Sequence, residues 1–560
     1  MATDTRPALP PVSRGERRWV WIFALVAMLV ISLPYLVGFA RQGEDWVFTG
    51  FVVGVEDGNS YIAKMMTGYK GDWLFHTPYT DAPQGGAIVL YPYVLLGKLT
   101  APPAQHEQMV AIFHIFRYIG GVLAFLATYE FLSLFLVEVR LRRWGMILAG
   151  LGGGLGWLLV LIGRAGWLGS LPLDFYSPES FGFLALFGLP HIALGRALLL
   201  WGMVAFLRQR PVPINALADL QGVWFDQRGM LAGLCWLGLG LMQPLSVVVA
   251  WMVVAAYLLV LFGRQYWRRL VGRTRDWGTS WGYFRRAFWA VVFSAPMAIY
   301  TILHFSLDPF LKEWTAQNIL PSPHPLHYLV AYGLVLPFAV VGARRLLKRH
   351  TTRGWLPIVW VLITPVLVYI PYPVQRRLAE GVWVALVLLA LKSLEHVVSA
   401  DRIMGKSSFK RLAVFLLLFP STLFLWLGGL QVAWNPARPV FRPAQEIAAI
   451  QTFRELAEQD AVVLTAYETG NVLPAWVPVR VVYGHSVESL GYFELKPKVE
   501  MFYSTAVTDE SRQAFLAEHH VDYIFWGPLE RAVGAWDAYD AQYLMPVVEQ
   551  GGYVVFAVVE

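Results

Sequence analysis

Cysteine is almost absent. Cys235 is the only one in 560 residues, so no disulfide within the chain is possible and any exported domain must be stable without one. Charge is also scarce. Only 15% of the residues are Asp, Glu, Lys or Arg, against roughly 25% in soluble globular chains, which excludes an ordinary soluble protein. The common nucleophile, nucleotide and zinc-protease signatures are missing: there is no G-x-S-x-G, P-loop or H-E-x-x-H. No internal repeat or low-complexity segment is evident. A cleavable leader is not indicated either. "WVWIFALVAMLVISLPYLVGF" follows the basic "RGERR" but is too long for a typical signal core and lacks a clear A-x-A site. It reads as a retained helix with a cytoplasmic N-terminus.

Apolar residues fill the space that charge vacates. They make up 57% of the chain, and mean hydropathy is +0.50. Several runs reach about 20 residues, enough to cross ~30 Å of hydrocarbon. The sequence therefore predicts a polytopic α-helical protein of the cell (plasma) membrane. The net charge of +7 lies in short basic clusters between apolar runs, as the positive-inside rule requires, so it does not point to nucleic acid.

Alternating the basic clusters threads the chain through about eleven transmembrane helices. Residues 1–18 form a cytoplasmic tail, its first dozen residues disordered, and 19–431 the membrane domain. Spans are expected near 19–40, 109–137, 144–163, 187–207, 287–305, 326–343, 355–373, 378–395 and 411–431. The stretch 229–263 is long for one span and reads as a hairpin turning at "MQPLS", where Pro244 breaks the helix. "GLGGGLG" does not fit a dinucleotide-binding fingerprint and reads as a small-residue packing face between helices. A large outer loop fills 41–108. Residues 432–560 alternate short β-rich runs ("AVVLTA", "VRVVYG", "VDYIFWG", "YVVFAVV") with polar helical stretches, which suggests an extracytoplasmic α/β domain.

Polar residues that could carry chemistry gather in the outer loops. In the first loop, helical spacing puts Asp57, Tyr61 and Lys64 on one face. An acid beside an aromatic and a lysine at the membrane surface suits deprotonation of a hydroxyl. The same residues equally suit a capped helix, with Asp57 or Asn59 as cap and Lys64 paired to the acid. The second outer loop brings Asp174, Glu179 and His191 to the surface, and Arg196 enters a span where it needs a partner or an anion. Trp314, Gln317 and Asn318 suit stacking and hydrogen bonding to a sugar, or an interfacial Trp with amide caps. His324 and His327 lack a metal-binding pattern, with Pro325 between them. "PVQRRLAEG" places Gln375, Arg376 and Arg377 at the outer end of two spans, against the charge trend. Guanidinium binds phosphate bidentately. The other reading is contact with lipid headgroups or with Glu380.

"VEDGNSYIAKM" resembles the acidic first-loop motif of the GT-C class of integral-membrane glycosyltransferases, with the order Glu56–Asp57. "WTAQNILPSP" and "PVQRRLAEG" resemble motifs of a bacterial branch of that class, and "VLTAYETGNVLPAWVPVRVVYGHSVES" its C-terminal domain, with "GH" after a strand. The resemblance implies a hexosyl- or pentosyltransferase using a polyprenyl-phosphate sugar donor and a glycan, lipid or protein acceptor. It implies Asp57 or Glu56 as general base, with Asp45 as an alternative, and Arg376 and Arg377 as phosphate binders. Tyr61, Lys64, Glu179, His191, Arg196, Trp314, Gln317, Asn318 and Gln375 complete the expected substrate contacts. A divalent cation, Mg or Mn, is left open, and no dedicated site for it is apparent in the sequence. A lipid-linked glycan transporter, an O-antigen-ligase-like enzyme and a scaffold with a partner-binding outer domain are the rival readings.

Overall fold

The computed structural model describes residues 12–208, 224–272, 277–348, 351–400 and 413–559. The basic cluster "DRIMGKSSFKR" (residues 401–411), which the charge alternation puts on the cytoplasmic side, the first eleven residues of the tail and parts of the other basic clusters lie outside them. The protein is a multi-pass membrane protein. Five described helices are long and apolar enough to cross a bilayer: Arg14–Arg41, Gln105–Ser133, Pro190–Leu207, Pro244–Leu270 and Gly278–Leu307. Pro325–Tyr332 and Leu336–Lys348 are bent by 75° and make a sixth crossing if they act as one broken span. Shorter apolar helices, such as Trp355–Leu367, Val382–Lys392 and Pro420–Trp434, fall on the other expected spans. Helix Gln227–Met242 ends just before helix Pro244–Leu270, so the break expected at Pro244 is present.

The glycine run differs from expectation. It interrupts a helix instead of lining one. Helix Val139–Leu151 stops, and a short helix resumes at Gly156. The reason is backbone crowding. The Gly153 N–H donates to Leu418 O at 2.6 Å, and a Cβ on Gly154 would sit 2.6 Å from the Ala331 carbonyl oxygen. The small-residue packing is real, but the partner is backbone on both sides.

The chain divides into two compact units. The first comprises residues 1–31, 116–302 and 320–427, and holds most of the apolar helices. The second comprises 32–115, 303–319 and 428–560. It joins the first outer loop to the C-terminal segment. Strand β1 (Trp46–Phe48) pairs antiparallel with β2 (Phe441–Pro443), so these two distant stretches lie side by side.

The second unit also holds a five-stranded sheet. Its strands are β3 (Val462–Leu464), β4 (Arg480–Val481), β5 (Tyr523–Trp526), β6 (Leu544–Gln550) and β7 (Tyr553–Val558), in the order β4-β3-β5-β7-β6. β3 is parallel to β4 and β5, while β7 is antiparallel to β5 and β6. Four of the five strands coincide with the β-rich runs of the sequence. β6 does not: "LMPVVEQ" carries Pro546 and polar residues. It tolerates them as an edge strand with a register shift between Pro546 and Val548. Leu464, Val482, Ile524 and Phe556 are fully buried in the core beside this sheet.

Candidate functional site

In the second unit the site is built on helix Val55–Tyr69, "VEDGNSYIAKMMTGY". Its N-cap is Gly54, with φ +56°, not the expected Asp57 or Asn59. Gly54 thereby leaves Glu56 and Asp57 in the first turn, where the helix dipole favours negative charge. Farther along, the helix is nearly all buried. Gly68 meets Val94 and Gly97 meets Met65 so closely that a Cβ at either position would strike a carbonyl oxygen. Tyr61 stacks on Tyr93 with ring centroids 4.8 Å apart, which makes it a packing residue.

The two first-turn acids have different surroundings. Glu56 is fastened: the Tyr467 hydroxyl donates to its Oε1, and the Ser486 backbone N–H does so at 3.2 Å. The Asn471 amide donates to its main-chain oxygen at 3.3 Å. The Asp57 side chain is 58% exposed, and its Oδ1 lies 3.5 Å from His485 Nε2. Lys64 does not pair with Asp57, contrary to one reading of the sequence. It is buried and bonds Glu488 at 2.5 Å and the Ser60 hydroxyl at 2.6 Å. Glu488 also accepts from Ser60, and from Thr77 at 3.0 Å. Asn59 bonds Asn471 at 2.8 Å.

These partners set the local electrostatics. Burial pushes the Glu488 carboxyl up, but the charges of Lys64 and His485 and the hydrogen bonds from Lys64 and Ser60 outweigh it, holding it below the ordinary carboxylate value. Burial pushes His485 down. The Asp57 contact and the charges of Glu488, Asp57 and Glu56 outweigh it and raise the imidazole above its ordinary value. His485 Nδ1 accepts from the backbone N–H groups of Val487 and Glu488, each at 3.3 Å.

Loop 484–491, which carries His485 and Glu488, is tied down from several directions. Ser489 Oγ accepts from the N–H groups of Gly484 (3.0 Å) and His485 (3.1 Å). Gln317 donates to the carbonyls of Val487 and Ser489, both at 2.9 Å, and accepts from the Gly491 N–H. Gln317 therefore holds protein backbone where a sugar contact was expected. Asn318 is the C-cap of helix Pro309–Gln317. Trp314 packs against Phe305, and its buried Nε1 has no hydrogen-bond partner among the described residues.

The first unit holds the arginine cluster. Gln375, Arg376 and Arg377 form a single 3-10 turn, Gln375–Ala379. The Arg376 guanidinium lies 4.5 Å from the centroid of the Tyr176 ring, and its Nε has no hydrogen-bond partner among the described residues. Arg377 Nε is 3.8 Å from Glu179 Oε1, with 41% of the side chain exposed. With its amide nitrogen and oxygen exchanged, Gln375 donates to Ile370 O and accepts from the Ser322 N–H. Neither arginine pairs with Glu380. That carboxylate is buried and taken by Arg196, through bonds of 2.6 and 3.2 Å. Arg196 also donates to the carbonyls of Phe181 (3.0 Å) and Pro178 (2.6 Å), so its donors hold protein, not a ligand. His191 is buried at the start of the same helix. Asp174 is buried too, accepting from Ser421 and from the Gly156 N–H.

Tyr467, His485, Ser486 and Glu488 were not singled out in the sequence. Only "GH" after a strand hinted at one of them. Among the described residues no group of three or more His, Cys, Asp and Glu side chains is placed to hold a metal ion.

No protein-family model matches the chain, and no curated protein sequence is similar to it. The archaeal oligosaccharyltransferase AglB from Archaeoglobus fulgidus, in complex with an inhibitory peptide and a dolichol-phosphate, shares the fold over 96% of this chain and 75% of its own. The TM-score is 0.52 and the identity 12%. The Archaeoglobus fulgidus oligosaccharyltransferase in complex with Zn and sulfate gives 0.53 and 13%, over 96% of this chain and 73% of its own. ArnT from Cupriavidus metallidurans in the apo state aligns over 97% of this chain and 98% of its own, with a TM-score of 0.49 and 14% identity. The chain thus shares the fold of these oligosaccharyltransferases, in keeping with the GT-C-like architecture expected from the sequence.

Proposed function

We propose that this protein transfers a sugar from a polyprenyl-phosphate donor to an acceptor hydroxyl at the extracytoplasmic face of the membrane, inverting the anomeric centre. The N-terminus is then cytoplasmic and residues 432–560 extracytoplasmic. The fold likeness to an enzyme solved with a dolichol-phosphate supports the donor class. The observation that carries the reading is the contrast between two neighbouring acids. Glu56 is bound by Tyr467 and Ser486, while Asp57 is exposed at a helix N-terminus beside a buried imidazole.

In this reading Asp57 takes the proton of the acceptor hydroxyl. The acceptor oxygen attacks the anomeric carbon from the face opposite the phosphate. The bond from that carbon to the phosphate oxygen breaks, and the prenyl phosphate leaves with the electron pair. Arg376 and Arg377 hold that phosphate, where charge develops. Arg377 is suited to it because its contact with Glu179 is long and the side chain half exposed. Lys64, Gln317 and Arg196 act as positioning residues, since each is occupied by protein partners.

The test uses the full chain in lipid nanodiscs with a panel of undecaprenyl-phosphate-linked hexoses and pentoses. Asp57→Asn is expected to abolish transfer while donor binding survives. Unchanged transfer would remove Asp57 as base.

A further inference from the structure

His485 lies outside the acidic first loop, yet the structure brings it to the exposed acid. Its environment on the Nδ1 side is fully prescribed by backbone. The N–H groups of Val487 and Glu488 both point at Nδ1. In the neutral ring that edge must accept, so the ring proton sits on Nε2. Nε2 is buried, has no hydrogen-bond partner within normal length among the described residues, and faces Asp57 Oδ1 at 3.5 Å. Contacts of this length between catalytic groups shorten when substrate binds.

The ring cannot easily rotate away. Tyr79 lies against it, with centroids 5.6 Å apart, and Ser489 and Gln317 fix the loop that carries it. The charged and titratable groups around the imidazole are Asp57 and Glu56 on the first-loop helix, Glu488 with its partner Lys64, and the hydroxyls of Tyr79 and Tyr467.

We infer that His485 is the positioning residue of the base: its Nε2–H holds Asp57 Oδ1 and so orients the carboxylate that takes the acceptor proton. The inference rests on the assignment of Asp57 above. His485 itself neither gains nor loses a proton in the step. This arrangement also gives the C-terminal segment a role in the chemistry, since it supplies the group that orients an acid from the first loop.

Four variants of the full chain in nanodiscs test it: Asp57→Asn, His485→Phe, His485→Asn and the double variant His485→Phe with Asp57→Asn. The donor panel is the one used above. His485→Phe keeps the ring volume and removes the donor. It is expected to lower kcat roughly 10- to 100-fold, the worth of one hydrogen bond to a charged group, with KM for the donor little changed. The acid limb of its rate profile moves to higher pH, because the carboxylate loses a donor. His485→Asn restores a donor and recovers part of kcat. The double variant is no worse than Asp57→Asn alone. Selective ¹⁵N-histidine spectra at pH 8, with the His485 signal identified by its loss in His485→Asn, should show a protonated Nε2 and a bare Nδ1. If Asp57→Asn is inactive while folded His485→Phe is as active as wild type, the positioning role is wrong and the base stands. If Asp57→Asn is active, the base itself is wrong. A protonated Nδ1 at pH 8 overturns the inference whatever the kinetics.

Discussion

Substituting Glu488→Gln should cost more stability than any surface change in the second unit. Lys64 and Glu488 have side-chain exposures of 1% and 7%, and their charged atoms are 2.5 Å apart. Ser60 and Thr77 complete the carboxylate's partners. Removing the negative charge leaves the Lys64 ammonium buried beside a neutral amide. Breaking one side of a buried pair costs about 3–5 kcal/mol. At about 2–4 °C per kcal/mol for a unit of 150–250 residues, this is a fall in Tm of roughly 6–20 °C. Lys64→Met should be similarly harmful, because it strands the carboxylate. The double variant should cost no more than either single, a coupling of at least about 3 kcal/mol in the cycle, at the upper end of the range for residues in contact. Thermal unfolding of the four proteins in one detergent or nanodisc, at one scan rate, reads this out. The pH dependence has a definite sign. Lys64 and His485 hold Glu488 below its ordinary value, so its contribution is complete above the unfolded value of about 4.3. It is lost as the pH falls through the lower, folded value. A Glu488→Gln protein within about 0.5 kcal/mol of wild type, or strictly additive single effects, would refute the reasoning.

Further outcomes follow from the other sites. Arg196→Met should destabilise the first unit by about 3–5 kcal/mol, because it leaves Glu380 buried and unpaired. Arg196→Lys should recover little, since one ammonium cannot replace the two bonds to Glu380 and those to the Phe181 and Pro178 carbonyls. Arg377→Ala should weaken binding of undecaprenyl phosphate, measured by isothermal titration in nanodiscs, about tenfold or more, the worth of a charge-assisted hydrogen bond. In a Cys235→Ala background, Glu44→Cys and Glu518→Cys should react with a membrane-impermeant maleimide from the same side, because β1 and β2 pair. Labelling from opposite sides would contradict that pairing.

The helical membrane body was legible because about 20-residue apolar runs have few other solutions. The break at Pro244 was legible for the same local reason, a missing N–H in mid-helix. The strands β3, β5 and β7 were visible as β-branched and aromatic runs, whereas β6 was hidden by Pro546. In the site, the acids at 56 and 57 and the helix after them were readable from composition and spacing. Their partners were not. Glu488, His485 and Tyr467 lie more than 400 positions away in sequence, and no local pattern reports on such a pairing. That is why helical spacing alone pairs Lys64 with the nearer acid. Arg376 and Arg377 were conspicuous as charges out of place. That Glu380 already belongs to Arg196 depends on tertiary packing that no spacing encodes.

The central claim is that Asp57 is the general base of a sugar transfer from a polyprenyl-phosphate donor. The most direct measurement is transfer by wild type and Asp57→Asn, in the same nanodiscs, from the undecaprenyl-phosphate sugar that wild type uses, with donor affinity measured in parallel. Asp57→Asn is expected to bind the donor as wild type does and to transfer at least about 10²-fold more slowly, the loss expected of a general base. Transfer at the wild-type rate, with the donor bound equally well, would contradict it.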